Sequence, residues 1–221
     1  MRWTALLGIA VTVLAVFLLL YTVVLRPWHQ SWGATAAEIH GTLPGDDLIA
    51  ATGQVTHAIT INAPPEKIWP WLMQIGQDRS GFYSYTFLEN MIGADMPKVE
   101  RLVPEWKPRT AGETVWFGTP KRFKAQAYMV AALVEPQQAF LMVSPPDWKK
   151  LEAGGRGEFG SWGFILAPLD ASHTRLIARL RGGRAPSCWS RVVGYTFWEP
   201  AHFVMERKML QTIKRLSETT S

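Results

Sequence analysis

VTHAITINAPPEKIWPWL, residues 55–72, places a strand and a helix back to back with only a proline turn between them. Val55, His57, Ile59 and Ile61 fall on one face of an extended chain, with Thr56, Ala58 and Thr60 on the other. Asn62-Ala63-Pro64-Pro65 ends the strand. Pro65 suits the first turn of a helix, where its missing N–H has no partner to lose. Ile68, Trp71, Leu72 and Ile75 then follow a helical period. A second strong helical signal lies far downstream, over residues 200–217. A sheet that begins at Val55 and a long terminal helix suggest a grip of one around the other, with an apolar cavity enclosed.

Upstream, 23 residues without a charged side chain separate Arg2 from Arg26. A bilayer core needs about 20 apolar residues as a helix, so residues 1–26 read as a transmembrane anchor. Trp3 and Tyr21 sit near its ends, with Trp28 and Trp32 just beyond, as interfacial aromatics do. The alternative is a cleaved secretory signal, but its apolar core runs only about 7–15 residues. Ala34-Thr35-Ala36 has the small residues of a cleavage site and lies well past the apolar run. The amino terminus and Arg2 before the span, against Arg26 after it, lean toward the N-terminus inside and the domain outside.

Residues 27–53 carry Gly33, Pro44, Gly45, Asp46 and Asp47 without sustained periodicity and read as a linker. Residues 54–221 are a normal size for one domain with its own core. A single cysteine, Cys188, excludes an intrachain disulfide framework. The formal charge of +5 comes from 23 basic and 18 acidic side chains that are spread along the chain. No clustered basic stripe marks a nucleic-acid partner. A tethered, mildly basic domain does suit an anionic membrane surface. Nothing in the chain sets an oligomeric state.

The middle of the domain reads as antiparallel sheet, with strands expected at 113–117, 125–134, 139–144, 161–167 and 174–181. Trp162, Phe164 and Leu166 alternate to one face, as do Leu176, Ala178 and Leu180. Arg175, Arg179 and Arg181 take the opposite face, which is expected to be solvated. A second short helix is expected over residues 83–91.

The segments TINAPPEKIWPWLMQIGQDRSGFYSYTFLEN, AGETVWFG, WGFILAPL and FWEPAHFVMERKML resemble a bacterial branch of the SRPBCC superfamily. That superfamily holds START lipid-transfer domains, birch-pollen-allergen-like proteins and polyketide cyclase/dehydrase-like proteins. The resemblance covers about residues 40–217. It implies an α+β helix-grip fold, a curved antiparallel sheet around a long C-terminal helix, here preceded by one transmembrane helix. A shared fold does not transfer an activity.

Signatures of chemistry are sparse. Gly155, Gly157 and Gly160 match a dinucleotide-binding glycine pattern, but a strand rather than a helix follows, so they read as a hairpin loop at the cavity mouth. His29, His40, His57, His173 and His202 show no metal-ligand spacing, and no cofactor or metal is expected. His57 reads as a satisfied core or rim residue. Trp198, His202 and Glu206 recur every four residues on one helical face, beside Met205 and Met209. An imidazole and a carboxylate bordering an apolar stripe can orient a polar group or move a proton. The competing reading has Glu199 capping the helix, with His202 and Glu206 bonded to loops. Asp78 and Arg79 read as a pair that locks a turn beside Tyr83 and Tyr85, whose hydroxyls could face a cavity. The candidate ligand-binding residues are Trp198, His202, Glu206, Tyr83, Tyr85, Trp162, Met205 and Met209.

The expected function is binding of a hydrophobic small molecule or lipid at the membrane. One alternative is a polyketide cyclase-like enzyme that uses cavity polar groups for acid/base chemistry. Another is a partner-binding membrane protein whose cavity is filled.

Overall fold

The computed structural model describes residues 2–183 and 187–219. An apolar helix, α1 (Arg2–Leu20), continues through a π-helical turn (Tyr21–Leu25) into α2 (Arg26–Gln30). Residues 6–30 are long and apolar enough to cross a membrane, and the apolar window is wholly exposed. After α3 (Ala36–His40) and a 3₁₀ turn (Asp46–Leu48) comes β1 (Gly53–Ile61). Helices α4 (Pro65–Met73) and α5 (Thr86–Met91) precede β2 (Thr114–Trp116), β3 (Tyr128–Glu135) and β4 (Ala139–Val143). Then follow α6 (Pro145–Glu152), β5 (Gly160–Pro168) and β6 (Thr174–Gly182). The chain closes with α7 (Cys188–Val193), a second π-helical turn (Gly194–Trp198) and α8 (Glu199–Thr219).

The six strands form one curved antiparallel sheet in the order β1-β6-β5-β4-β3-β2. The fold is α+β, with α8 held in the sheet. Pro64 caps α4 and Pro65 fills its first turn, so the proline turn starts the helix as its sequence demands. The concave face carries Ile61, Phe140, Met142, Trp162, Phe164, Leu166, Leu176 and Ala178. Against them pack Ile68, Trp71 and Leu72 of α4 and Met209, Leu210, Ile213 and Leu216 of α8. These side chains fill the middle of the grip as a packed core.

The outer face is also covered, which corrects two expectations. The stretch read as a linker, 27–53, folds over the sheet as a strap, with Ile49 and Asp46 buried. Ala34 and Leu43 pack on Ala58, Ala139, Leu141, Ile165 and Ile177. Gly33 has a positive φ of 72° and lies so near Ala58 that a Cβ would meet its carbonyl oxygen at 2.1 Å. Only glycine lets the strap come this close. The arginine row is therefore not solvated. Arg175 holds Glu38 through two hydrogen bonds of 2.8 Å. Arg179 is 3% exposed and donates to Asp46 at 2.5 Å, while Arg181 reaches the same carboxylate at 3.0 Å.

Element limits shift for local reasons. Lys124 and Ala125 adopt positive φ, so the strand expected from 125 begins at Tyr128. Tyr83 also has positive φ, and the helix expected from it begins at Thr86. The terminal helix is longer than expected, because a Ser187–Ser190 capping box starts α7 upstream and the helix runs on into α8. The 153–159 glycine loop wraps Asp147 rather than the cavity, its carboxylate accepting from the N–H groups of Glu158 and Gly160 at 2.7 and 2.8 Å.

Candidate functional site

Open space lies at one end of the grip, where α8 leaves the sheet beside α2. A pocket of about 230 Å³ is lined there by His29, Val55, His57, Leu180, Gly194, Trp198, Glu199, His202 and Phe203. Val55 and Leu180 face each other in register across β1 and β6 and make the apolar floor. Taking about 30 Å³ per water, the space equals roughly eight waters, enough for a ring or a short acyl segment.

One buried carboxylate organises its polar side. Glu206 is 2% exposed and His57 is fully buried. Trp162 Nε1 donates to Glu206 Oε1 at 2.5 Å. His57 Nε2 lies 2.6 Å from the His29 carbonyl oxygen. A carbonyl only accepts, so His57 Nε2 carries a hydrogen. Its Nδ1 then faces Glu206 Oε2 across a contact that holds a single proton. His202 Nε2 stands 3.5 Å from Glu206 Oε1, an ion-pair neighbour without a well-formed hydrogen bond. The rest of its ring reaches the pocket, with 27% of the side chain exposed. Burial alone would raise the Glu206 carboxyl, but His202 and His57 outweigh it and hold the group well below the usual carboxylate range. Burial likewise lowers His202, and the Glu206 charge more than offsets this, so its imidazole is raised.

The pocket rim joins the two ends of the chain. Arg26 grips Glu199 with two hydrogen bonds of 2.8 and 2.9 Å, and Gln30 adds a third at 3.1 Å. Glu199 thus ties α8 to α2 and caps no helix end. The Arg26 guanidinium also lies 3.9 Å above the Tyr195 ring. The two π-helical turns lie side by side. The Glu199 N–H reaches back to Gly194, which leaves the Tyr195 carbonyl to accept from the Tyr21 hydroxyl.

The candidate residues separate into three groups. Trp198 and His202 line the pocket, and Glu206 and Trp162 lie directly beneath. Met209 is core at 1% exposure, and Met205 is partly buried, its carbonyl accepting from Ser84 Oγ at 2.7 Å. Tyr83 lies apart against Trp71, and burial pushes its phenol up to about 12 against the pull of Ser80 and Gln74. Tyr85 meets Phe87 edge to face and lies under the Lys208 ammonium. The expected Asp78–Arg79 pair is present at 3.9 Å, but buried Arg109 holds Asp78 more closely at 2.9 Å, and Arg79 also donates to the Met73 and Lys107 carbonyls. His29, His57 and Phe203 are pocket residues that the sequence candidates omit. For His57 a signal was present, since strand alternation puts it on the inward face with Val55 and Ile59. Among the described residues no group of three or more His, Cys, Asp or Glu is arranged to hold a metal ion.

No family model and no curated protein matches the chain. Solved structures do. A Thermobifida fusca protein shares 12% identity over 76% of this chain and 97% of its own, with a TM-score of 0.43. A Mesorhizobium loti protein shares 15% identity over 76% of this chain and 99% of its own, with a TM-score of 0.39. A polyketide-cyclase-like protein from Corynebacterium glutamicum shares 13% identity over 74% of this chain and 88% of its own, with a TM-score of 0.34.

Proposed function

We propose that the protein is a membrane-anchored receptor for a hydrophobic small molecule or lipid, and that its pocket takes the polar end of that molecule. The resemblance to the SRPBCC superfamily belongs to this reading. The observation that carries it is a largely apolar pocket whose wall includes two histidines, His57 and His202, that both face one buried, ionised carboxylate, Glu206, directly beneath it. Such a site offers a donor from His202 to a ligand oxygen, while Val55, Leu180 and Phe203 exclude water. The adjoining apolar helix supplies the membrane from which an amphiphile would enter.

Acid/base catalysis is the second reading, favoured by the same raised imidazole next to Glu206. A single comparison separates the two. In a binding protein, His202→Ala weakens a polar-headed ligand by about 1–3 kcal/mol, the cost of a lost or unsatisfied hydrogen bond, and leaves a purely apolar ligand unaffected. In an enzyme it lowers turnover by about 10²–10⁴-fold with affinity nearly level. No change in either quantity, with stability intact, removes His202 from the site.

A further inference from the structure

We propose that the end of the molecule from which the apolar helix emerges is a membrane-docking face, built from α7 with its following turn and from α5, that seats the domain on an anionic bilayer. This rests on the reading of the N-terminal helix as a membrane span. The sheet register brings the pieces together. Gly53, Gly182 and Gly160 stand opposite one another, and Ser161, Val143, Val130 and Thr114 continue the row. The segments that join these strand ends therefore leave from one end of the sheet: the 27–52 strap, the 117–127 turn, the 144–159 connection that holds α6, and the 187–198 helix. Helix α5 is tied to the same end, where the Thr119 N–H donates to the Ala94 carbonyl at 3.1 Å.

Large apolar side chains crowd this end and lie open. Trp189 is 74% exposed, Phe197 58% and Trp198 64%; on α5 and its end, Phe87 is 63%, Met91 78% and Ile92 65% exposed. Patches of this kind mark interaction sites rather than ordinary surface. What covers them follows from the neighbouring helix. Tyr21 contacts Tyr195 and Arg26 contacts Glu199, so the two helices enter the body in the same direction and at the same level. At 1.5 Å per residue, Cys188 reaches about 10 Å further along α1 than Tyr195 does. A bilayer that surrounds α1 thus meets α7 as well. With six residues in α7 and five in the turn, the segment falls short of the roughly 20 needed to span, and its aromatic composition suits the interface. Lys121, Arg122 and Lys124 are exposed in the 117–127 turn and Arg191 on α7, the charge an anionic headgroup layer attracts. Glu89, the carboxylate of α5, is pushed up to about 7 by burial and so is only partly ionised at neutral pH. Gly194 and Trp198 belong both to this face and to the pocket lining, so the pocket opens where the lipid begins.

Nitroxide labels on the full chain in nanodiscs of phosphatidylcholine and phosphatidylglycerol test this. The native Cys188 carries one label; in a Cys188→Ser background, Met91→Cys, Leu14→Cys and Leu169→Cys carry the others. Leu169 is exposed in the β5–β6 hairpin at the far end. Collisions with a water-soluble nickel chelate should be several-fold fewer at 188 and 91 than at 169. Replacing Lys121, Arg122 and Lys124 by Gln, or removing phosphatidylglycerol, should raise them at 91. Shielding at 14 with full access at 188 and 91 would overturn the docking face while the anchor stands. Access at 14 would remove the anchor and the proposal with it. Shielding at 91 that ignores both charge changes would overturn the preference for anionic lipid.

Discussion

Glu206 sits where a helix stripe, a strand and an indole converge, and each neighbour changes what the others do. Replacing it by Ala leaves Trp162 Nε1 and His57 without their acceptor inside the fold. The expected loss is about 3–5 kcal/mol, as for other broken buried pairs, read by chemical denaturation. Its coupling to His202 gives a pH dependence with a definite sign. The His202 imidazole is raised above its unfolded value of about 6.5, so the stability it contributes is complete below that pH and fades as pH climbs through the raised value. The depressed Glu206 contributes stability that is present above its unfolded value and is lost progressively as pH falls below it. As pH climbs above about 6.5, the melting temperature of wild type should therefore fall more steeply than that of His202→Gln. Equal slopes in the two proteins would separate His202 from Glu206. At this scale the sequence was half legible. The four-residue spacing of Trp198, His202 and Glu206 was visible, because one helix carries all three. His57 lies 149 residues from Glu206 in the chain, and no local pattern reports such a contact.

The strap shows where periodicity stops informing. Strands and the last helix were readable because each buries one face and repeats accordingly. Residues 27–53 bury single side chains at irregular intervals, so they resembled a linker. One local signal was present: Thr35 and Glu38 form a reciprocal cap that starts α3. Glu38 and Asp46 are the counter-ions of the arginine row, which a reading of single strands takes for a wet face. Two outcomes follow. Asp46→Ala should cost about 3–5 kcal/mol by leaving the Arg179 charge buried without its counter-ion. A fragment beginning at residue 54 should lose cooperative thermal unfolding, whereas one beginning at 27 keeps it. Equal melting of the two fragments would show that the strap adds nothing. On the inner face, Met209→Asp should cost several kcal/mol, since it puts an unpaired charge where exposure is 1%.

At the scale of the whole molecule, the grip is a packed scaffold and the open volume lies at its mouth, between the sheet end and the two helices that enter together. This arrangement combines an apolar helix long enough to cross a membrane, a small apolar pocket and a buried proton-sharing cluster within one corner. Gly194 offers the most direct way to close that corner without disturbing the fold. It lines the pocket, and a Cβ added there meets nothing within 4 Å. Gly194→Phe should fill the space and, by removing a helical glycine, leave stability equal or slightly higher. The deciding measurement is native mass spectrometry, with solvent extraction, of the full chain purified from membranes, wild type beside Gly194→Phe. Wild type should carry a small apolar molecule with a polar end, and Gly194→Phe should lack it at unchanged melting temperature. A bare wild-type chain, or equal loading of both proteins, would contradict the pocket as the binding site.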